Sequence, residues 1–125
     1  MMDLTLNVLV VDDFASIRRM VKSALEQIGF IKIFEAKDGS DALKMLKEKE
    51  IGLVLCDWNM PEMNGIDLLK AVKSDESLKD VPFILVTSEG HKNNVVEAVQ
   101  AGVSNYIIKP FSAETLQEKI KKVLG

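Results

Sequence analysis

Several apolar runs in this sequence end abruptly on groups that can do chemistry. Leu53, Val54, Leu55 and Cys56 carry no polar alternation and stop at Asp57. Leu6 to Val11 repeats the pattern and ends at the pair Asp12 and Asp13. Val81 to Val86 leads into Thr87 and Ser88, and Tyr106 to Ile108 leads into Lys109 and Pro110. Two carboxylates about 4 Å apart repel by ~4 kcal/mol at an effective dielectric near 20, so three gathered acids call for a cation. Oxygen donors favour a hard metal. Magnesium fits best, because it keeps several waters and needs only one or two protein carboxylates plus anionic oxygens of a second ligand. A lysine and a hydroxyl beside it would offer a phosphoryl group a positive charge and a donor. Singly, each of these residues is an ordinary polar loop residue, and Asp12 and Asp13 can also cap a following helix. Jointly, the three acids and Lys109 point to one shared site.

The elements that would bring them together are legible from periodicity. Runs without alternation suit parallel strands covered on both faces. Between them, Phe14 to Ile28 has Ile17, Met20, Val21, Ala24, Leu25 and Ile28 at helical spacing, with Gly29 as a stop and Arg18, Arg19 and Lys22 on the solvated face. Ile31 to Phe34 reads as a second strand and Ser40 to Lys47 as a second helix. After a turn at Pro61, Asn64 caps a third helix to Lys73, with Ile66, Leu69 and Val72 inward. Pro82 sits at the start of the fourth strand, where a missing N–H is tolerated. Lys92 to Gln100 is a fourth helix. Ser112 caps a last one with Leu116, Ile120, Val123 and Leu124 inward. Strict alternation of strand and helix predicts an α/β, doubly wound three-layer (βα)5 domain with a parallel five-stranded sheet. All strand carboxyl ends then lie on one edge, where ligands bind in such sheets. Asp12, Asp13, Asp57, Thr87 and Lys109 should meet there.

Composition narrows the partners. A chain of 125 residues makes one domain, and no linker or second domain is expected. The net charge of −3, with acids and bases interspersed, gives no reason to expect nucleic acid or an anionic membrane as a partner. A protein partner fits better. The start, MMDLTLNVLVVDD, has neither a basic region nor an apolar run of spanning length, so a cytoplasmic location is expected. The single cysteine, Cys56, reads as a small buried hydrophobe. A phosphate-binding P-loop or a dinucleotide fold would need a glycine-rich turn after the first strand, where VVDDFAS stands. An aspartyl-type metal-dependent phosphohydrolase would want a second acid two residues after its nucleophile, and that position is Asn59.

Taken together, LVVDDF, CDWNMPEMNG, LVTSEG and AGVSNYIIKPF resemble the receiver domain of two-component response regulators over essentially the whole chain. DWNMP, YIIKPF and the lack of an output domain are most similar to the single-domain chemotaxis regulators. The resemblance implies a flavodoxin-like sheet order 2-1-3-4-5. It makes Asp57 the phosphoacceptor, and Asp13, Asp57 and the backbone carbonyl of Asn59 ligands of Mg2+, with Asp12 helping through water. Lys109 would pair with Asp57 or its phosphoryl group, and the Lys109–Pro110 bond would be cis. Thr87 would be drawn to the phosphoryl oxygen while Tyr106 turns inward.

The implied activity is a phosphorylation switch that takes its phosphoryl group from a histidine kinase and then binds a target, the flagellar motor switch protein. It implies a monomer that catalyses only its own phosphorylation and dephosphorylation, with a phosphatase as a further candidate partner. Ser88 and His91 depart from the family's commonest residues. Trp58 is expected as a partly exposed aromatic, and Met60 and Met63 as packing residues. The charge change at Asp57 would move the fourth helix, fifth strand and fifth helix. His91, Lys92, Val95, Tyr106, Lys119 and Lys122 there combine a basic rim with an apolar centre suited to an acidic, amphipathic peptide. The phosphohydrolase, a single-domain relay outside chemotaxis and a receiver-like adaptor that is never phosphorylated are the alternatives.

Overall fold

Alternate residues of a β-strand face opposite sides of the sheet, so a strand covered by helices on both sides must be apolar throughout. The computed structural model, which describes residues 2–60, 62–88 and 92–125, is built on that rule. Its elements are β1 (Asn7–Val11), α1 (Ala15–Ile28), β2 (Lys32–Ala36), α2 (Gly39–Glu48), β3 (Ile51–Asp57), α3 (Gly65–Ser74), β4 (Phe83–Ser88), α4 (Lys92–Gln100), β5 (Asn105–Lys109) and α5 (Ala113–Leu124). The strands pair in parallel in the order β2-β1-β3-β4-β5.

Each sheet face has its own core. Leu9, Val11, Val54, Cys56, Phe83 and Leu85 pack with Ala42 and Leu46 of α2, Ile66, Leu69 and Val72 of α3, and Ala98 of α4. From the same strands, Val8, Val10, Leu53, Leu55, Ile84 and Val86 pack with Val21 and Leu25 of α1 and Leu116 and Ile120 of α5. Polar caps set where the helices begin. The side chains of Asn64 and Ser112 accept hydrogen bonds from the backbone N–H of Asp67 at 3.0 Å and Thr115 at 3.1 Å. Asp38 does the same for α2 through Asp41 at 2.8 Å. Each such cap contributes about 1 kcal/mol.

Several expectations need correction. β2 begins at Lys32, because Ile31 is 74 % exposed and lies outside the ladder. β4 begins at Phe83: the Val81 N–H bonds back to Leu78, and Pro82 contributes only its carbonyl, which accepts from Val54. Met20, placed on the inward stripe of α1 by spacing, is 67 % exposed, and the buried residues of that helix are Val21 and Leu25. Arg18 is not on the solvated face but is half-buried. Trp58 is buried, packed with Met60 and Ile66 in the core beneath α2 to α4, and Met60 and Met63 are packing residues as expected. The turn assigned to Pro61 lies outside the described residues.

Candidate functional site

Register places the reactive groups. Val11 pairs with Cys56, so Asp12 leaves β1 beside Asp57 at the end of β3. Asp57 pairs with Val86, so Thr87 is one residue further along β4, and Ser88 pairs with Lys109 at the end of β5. Asp12, Asp13, Asp57, Thr87 and Lys109 therefore share one edge.

There, Asp12, Asp13 and Asp57 each offer one carboxylate oxygen, and these oxygens all lie within 4.8 Å of one another. Asp12 and Asp57 are buried and Asp13 is half-buried. Lys109 donates from Nζ to Asp57 Oδ1 at 2.7 Å. Among the described residues, two buried oxygens have no hydrogen-bond partner, Oδ1 of Asp13 and Oγ1 of Thr87. Buried polar atoms are nearly always paired, so such orphans need a physical reason. Asp12 is engaged instead: its Oδ1 accepts from the Phe14 N–H at 2.9 Å. Burial pushes the Asp12 carboxyl up to about 6, against the opposing pull of the Phe14 N–H and Lys109, with Asp57 and Asp13 adding to the rise.

This donor set could hold a hard divalent metal ion. The three acids and Lys109 leave a formal local charge of about −2, the donors are hard oxygens, and Asp13 has an oxygen without a partner among the described residues. Asn59, exposed, lines a shallow opening with Asp13, Phe14, Met60 and Asn64, so a ligand entering beside Asp13 meets it.

Tight backbone closure holds Asp57 in place. The Trp58 N–H donates to Val86, and its carbonyl accepts from Gly65, both at 2.8 Å. A Cβ on Gly65 would lie 2.5 Å from the Asp57 carbonyl oxygen and 3.0 Å from Trp58 Cα, so only glycine lets α3 start this close to the strand end. Neighbouring Cys56 is fully buried, its thiol pushed well up by burial, which makes it an inert packing residue. On the α1 side, an apolar cavity of about 240 Å³ reaches Asp57 and Lys109 between Ile17, Val21, Ala24 and Phe111. The Lys109–Pro110 peptide is cis.

The residues proposed for a partner surface are more dispersed. Tyr106 is half-buried, with Lys119 Nζ 5.0 Å from its ring centroid, and both line a groove with Ile108, Phe111 and Thr115. Val95 is half-buried and Lys122 exposed, so the expectation of a uniformly exposed patch is only partly met. Lys92 opens α4 with its side chain outside the described part, and His91 lies outside the described residues. Sequence reasoning passed over Val96 and Val99, which are 57 % and 62 % exposed and one turn apart on α4. It also missed Arg18, whose bonds to Glu35 and to the Asp12 carbonyl are tertiary and leave no local signal in the sequence.

The response regulator receiver domain family matches residues 8–121 of the chain. Over 118 residues the chain is 49 % identical to chemotaxis protein CheY-3 of Vibrio cholerae serotype O1, covering 94 % of this chain and 91 % of the relative. It is 48 % identical to chemotaxis protein CheY of Pseudomonas aeruginosa, covering 94 % and 95 %. The solved structure of the Vibrio cholerae chemotaxis protein CheY4 superposes with a TM-score of 0.88 at 33 % identity, over 96 % of this chain and 99 % of that one.

Proposed function

This chain belongs to the response regulator receiver family, and from that membership we propose that it is a phosphorylation switch of the chemotaxis type with Asp57 as phosphoacceptor. The observation that carries the proposal is one buried carboxylate, Asp57, lying among oxygens that want a cation and bonded to Lys109 at 2.7 Å, beside an unpartnered Thr87 hydroxyl. In the transfer, an Asp57 carboxylate oxygen forms the new bond to phosphorus while the P–N bond of a kinase phosphohistidine breaks, and the imidazole nitrogen keeps that electron pair. Phosphoryl transfer depends mostly on positioning and charge neutralisation, which this edge is built to give. Mg2+ held by Asp13, Asp57 and the Asn59 carbonyl, with Asp12 assisting, would neutralise the charge building on the phosphoryl oxygens. Lys109 holds its ammonium against the same oxygens, and the Thr87 hydroxyl donates once one comes within reach.

One phosphoryl group per chain makes this a switch rather than a turnover enzyme. Its downstream partner is then a flagellar motor switch protein, met in the cytoplasm. Among the described residues, no helix is long and apolar enough to cross a membrane. The experiment is to incubate the protein with magnesium and acetyl phosphate and weigh it intact. One added phosphate that disappears in Asp57→Asn is the expected result. Sustained hydrolysis of many phosphate esters would favour the phosphohydrolase, and no adduct on the parent would favour an unphosphorylated adaptor.

A further inference from the structure

We infer that Arg18 is a positioning residue that holds the loop carrying Asp12 and Asp13 in the geometry a divalent cation needs. The inference rests on the magnesium reading above. Without a cation, three carboxylates with oxygens within 4.8 Å repel one another, and two of them lie on the loop between β1 and α1, outside the strand ladder. Three bonds restrain it at Asp12. Its N–H donates to Ala36 of β2 at 3.1 Å, its Oδ1 accepts from Phe14, and its carbonyl oxygen accepts from Arg18 Nη1 at 2.6 Å. The first extends the pairing of β1 with β2, and the second is a local turn closed by the Asp12 carboxylate. The third ties the loop to a side chain one turn into α1, and among the described residues no other lysine or arginine is hydrogen-bonded to this loop.

The guanidinium is itself held in place. Arg18 Nε meets Glu35 Oε1 on β2 at 3.1 Å, with the side chains only 16 % and 34 % exposed. One planar group thus bridges β2 and the acid loop with two N–H directions, which a lysine ammonium on a flexible stem cannot reproduce. Glu35 also offsets the cation, so Arg18's main effect on the acids is orientation rather than charge. Asp13 follows directly in the chain, so fixing the Asp12 carbonyl also limits where the unpartnered Asp13 oxygen can go. Outer partners of metal ligands set affinity by roughly 10- to 100-fold.

The test titrates Mg2+ into the parent, Arg18→Lys, Arg18→Met and Glu35→Gln, following Trp58 fluorescence, with thermal unfolding in EDTA alongside. Trp58 is the only tryptophan and directly follows Asp57. We expect both Arg18 variants to bind Mg2+ about tenfold or more weakly, and Glu35→Gln a few-fold more weakly. Similar weakening in Arg18→Lys and Arg18→Met separates orientation from charge. Affinities within twofold of the parent, with only the unfolding midpoint lowered, would make Arg18 a stability residue and overturn the inference. Should Arg18→Met not fold, Arg18→Lys and Glu35→Gln decide. A parent that binds no Mg2+ would instead remove the reading underneath.

Discussion

The acid edge of the sheet and the α4–β5–α5 face differ in what each lacks. At the acid edge the reactive side chains come from β3, β4, β5 and the loop directly after β1, are placed by strand register and are largely buried, yet among the described residues two of their oxygens have no hydrogen-bond partner. That region is fixed in position and incomplete in bonding. On the other face, Tyr106 is half-buried under Lys119, and Val96 and Val99 stand exposed. There, exposed apolar surface can be covered and side chains have room to move. A receiver needs this division, because a rigid site must accept a charge and a yielding surface must report it. The structural link is short: Thr87 pairs with Ile108, two residues after Tyr106 on β5. Substitutions among the acids should therefore change ligand binding with little effect on the surface, substitutions on the surface the reverse, and Thr87, which pairs with β5, should change what the surface reports rather than what the acids bind.

The largest separation is expected from Asp13→Ala. Removing the half-buried acid whose oxygen has no partner deletes a cation ligand, so magnesium affinity should fall by about 100-fold or more and phosphorylation should cease. Stability in EDTA should hold or rise, because one source of repulsion is gone. Trp58 titration and thermal unfolding test both halves. Magnesium binding as tight as the parent's would show that the ligand set is wrongly drawn.

The same contrast marks what the sequence could disclose. Strands and caps were readable because their causes are local: apolar runs without alternation, and Asn64 and Ser112 three residues before the N–H groups they cap. The gathering of Asp12, Asp13, Asp57, Thr87 and Lys109 on one edge followed from strand polarity alone, whereas sheet order came only with the family resemblance. Trp58 reads as exposed if the strand is taken to end at Asp57. In fact its side chain continues the period of two from Val54 and Cys56 into the same core. Arg18 was hidden for a different reason. A helical projection sends it outward, and only the tertiary approach of Glu35 and the Asp12 carbonyl turns it back. The partner face is least legible because exposure on α4 depends on how the helix sits, and its apolar pattern is weak.

A smaller effect concerns pH and should be confined to the edge. The folded protein keeps the Asp12 proton up to about 6, while the unfolded chain releases it near 3.8. Between those values the folded state binds more protons, so the stability of the metal-free protein should fall as pH rises through this window, on the order of 3 kcal/mol. Asp12→Asn should flatten that slope, and Lys119→Glu should leave it intact. In the presence of Mg2+ the proton and the metal compete, so affinity should climb over the same interval. Denaturant midpoints in EDTA measured from pH 4 to pH 7 check the sign, and a rising stability would contradict it.

The smallest and most discriminating pair of changes lies on either side of the link. Thr87→Ala removes a buried hydroxyl that has no partner among the described residues, so folding should lose little and Asp57 should still be phosphorylated. What it should lose is much of the phosphorylation-dependent gain in target affinity. A full shift of the switch from 1:99 to 99:1 takes ~5.5 kcal/mol of preference for the active state, and a lost phosphoryl contact subtracts from that directly. Lys119→Glu acts further out. It removes the cation over the Tyr106 ring, a contact contributing about 0.5–1 kcal/mol at an exposed site, and reverses a charge that would face an acidic peptide. Target binding should weaken several-fold while acetyl phosphate still labels Asp57 at the parent's rate. Both variants, loaded with beryllofluoride as the phosphoryl mimic, should be titrated with the purified flagellar motor switch protein. Unchanged affinity in both would mean that α4, β5 and α5 are not where the charge at Asp57 is read.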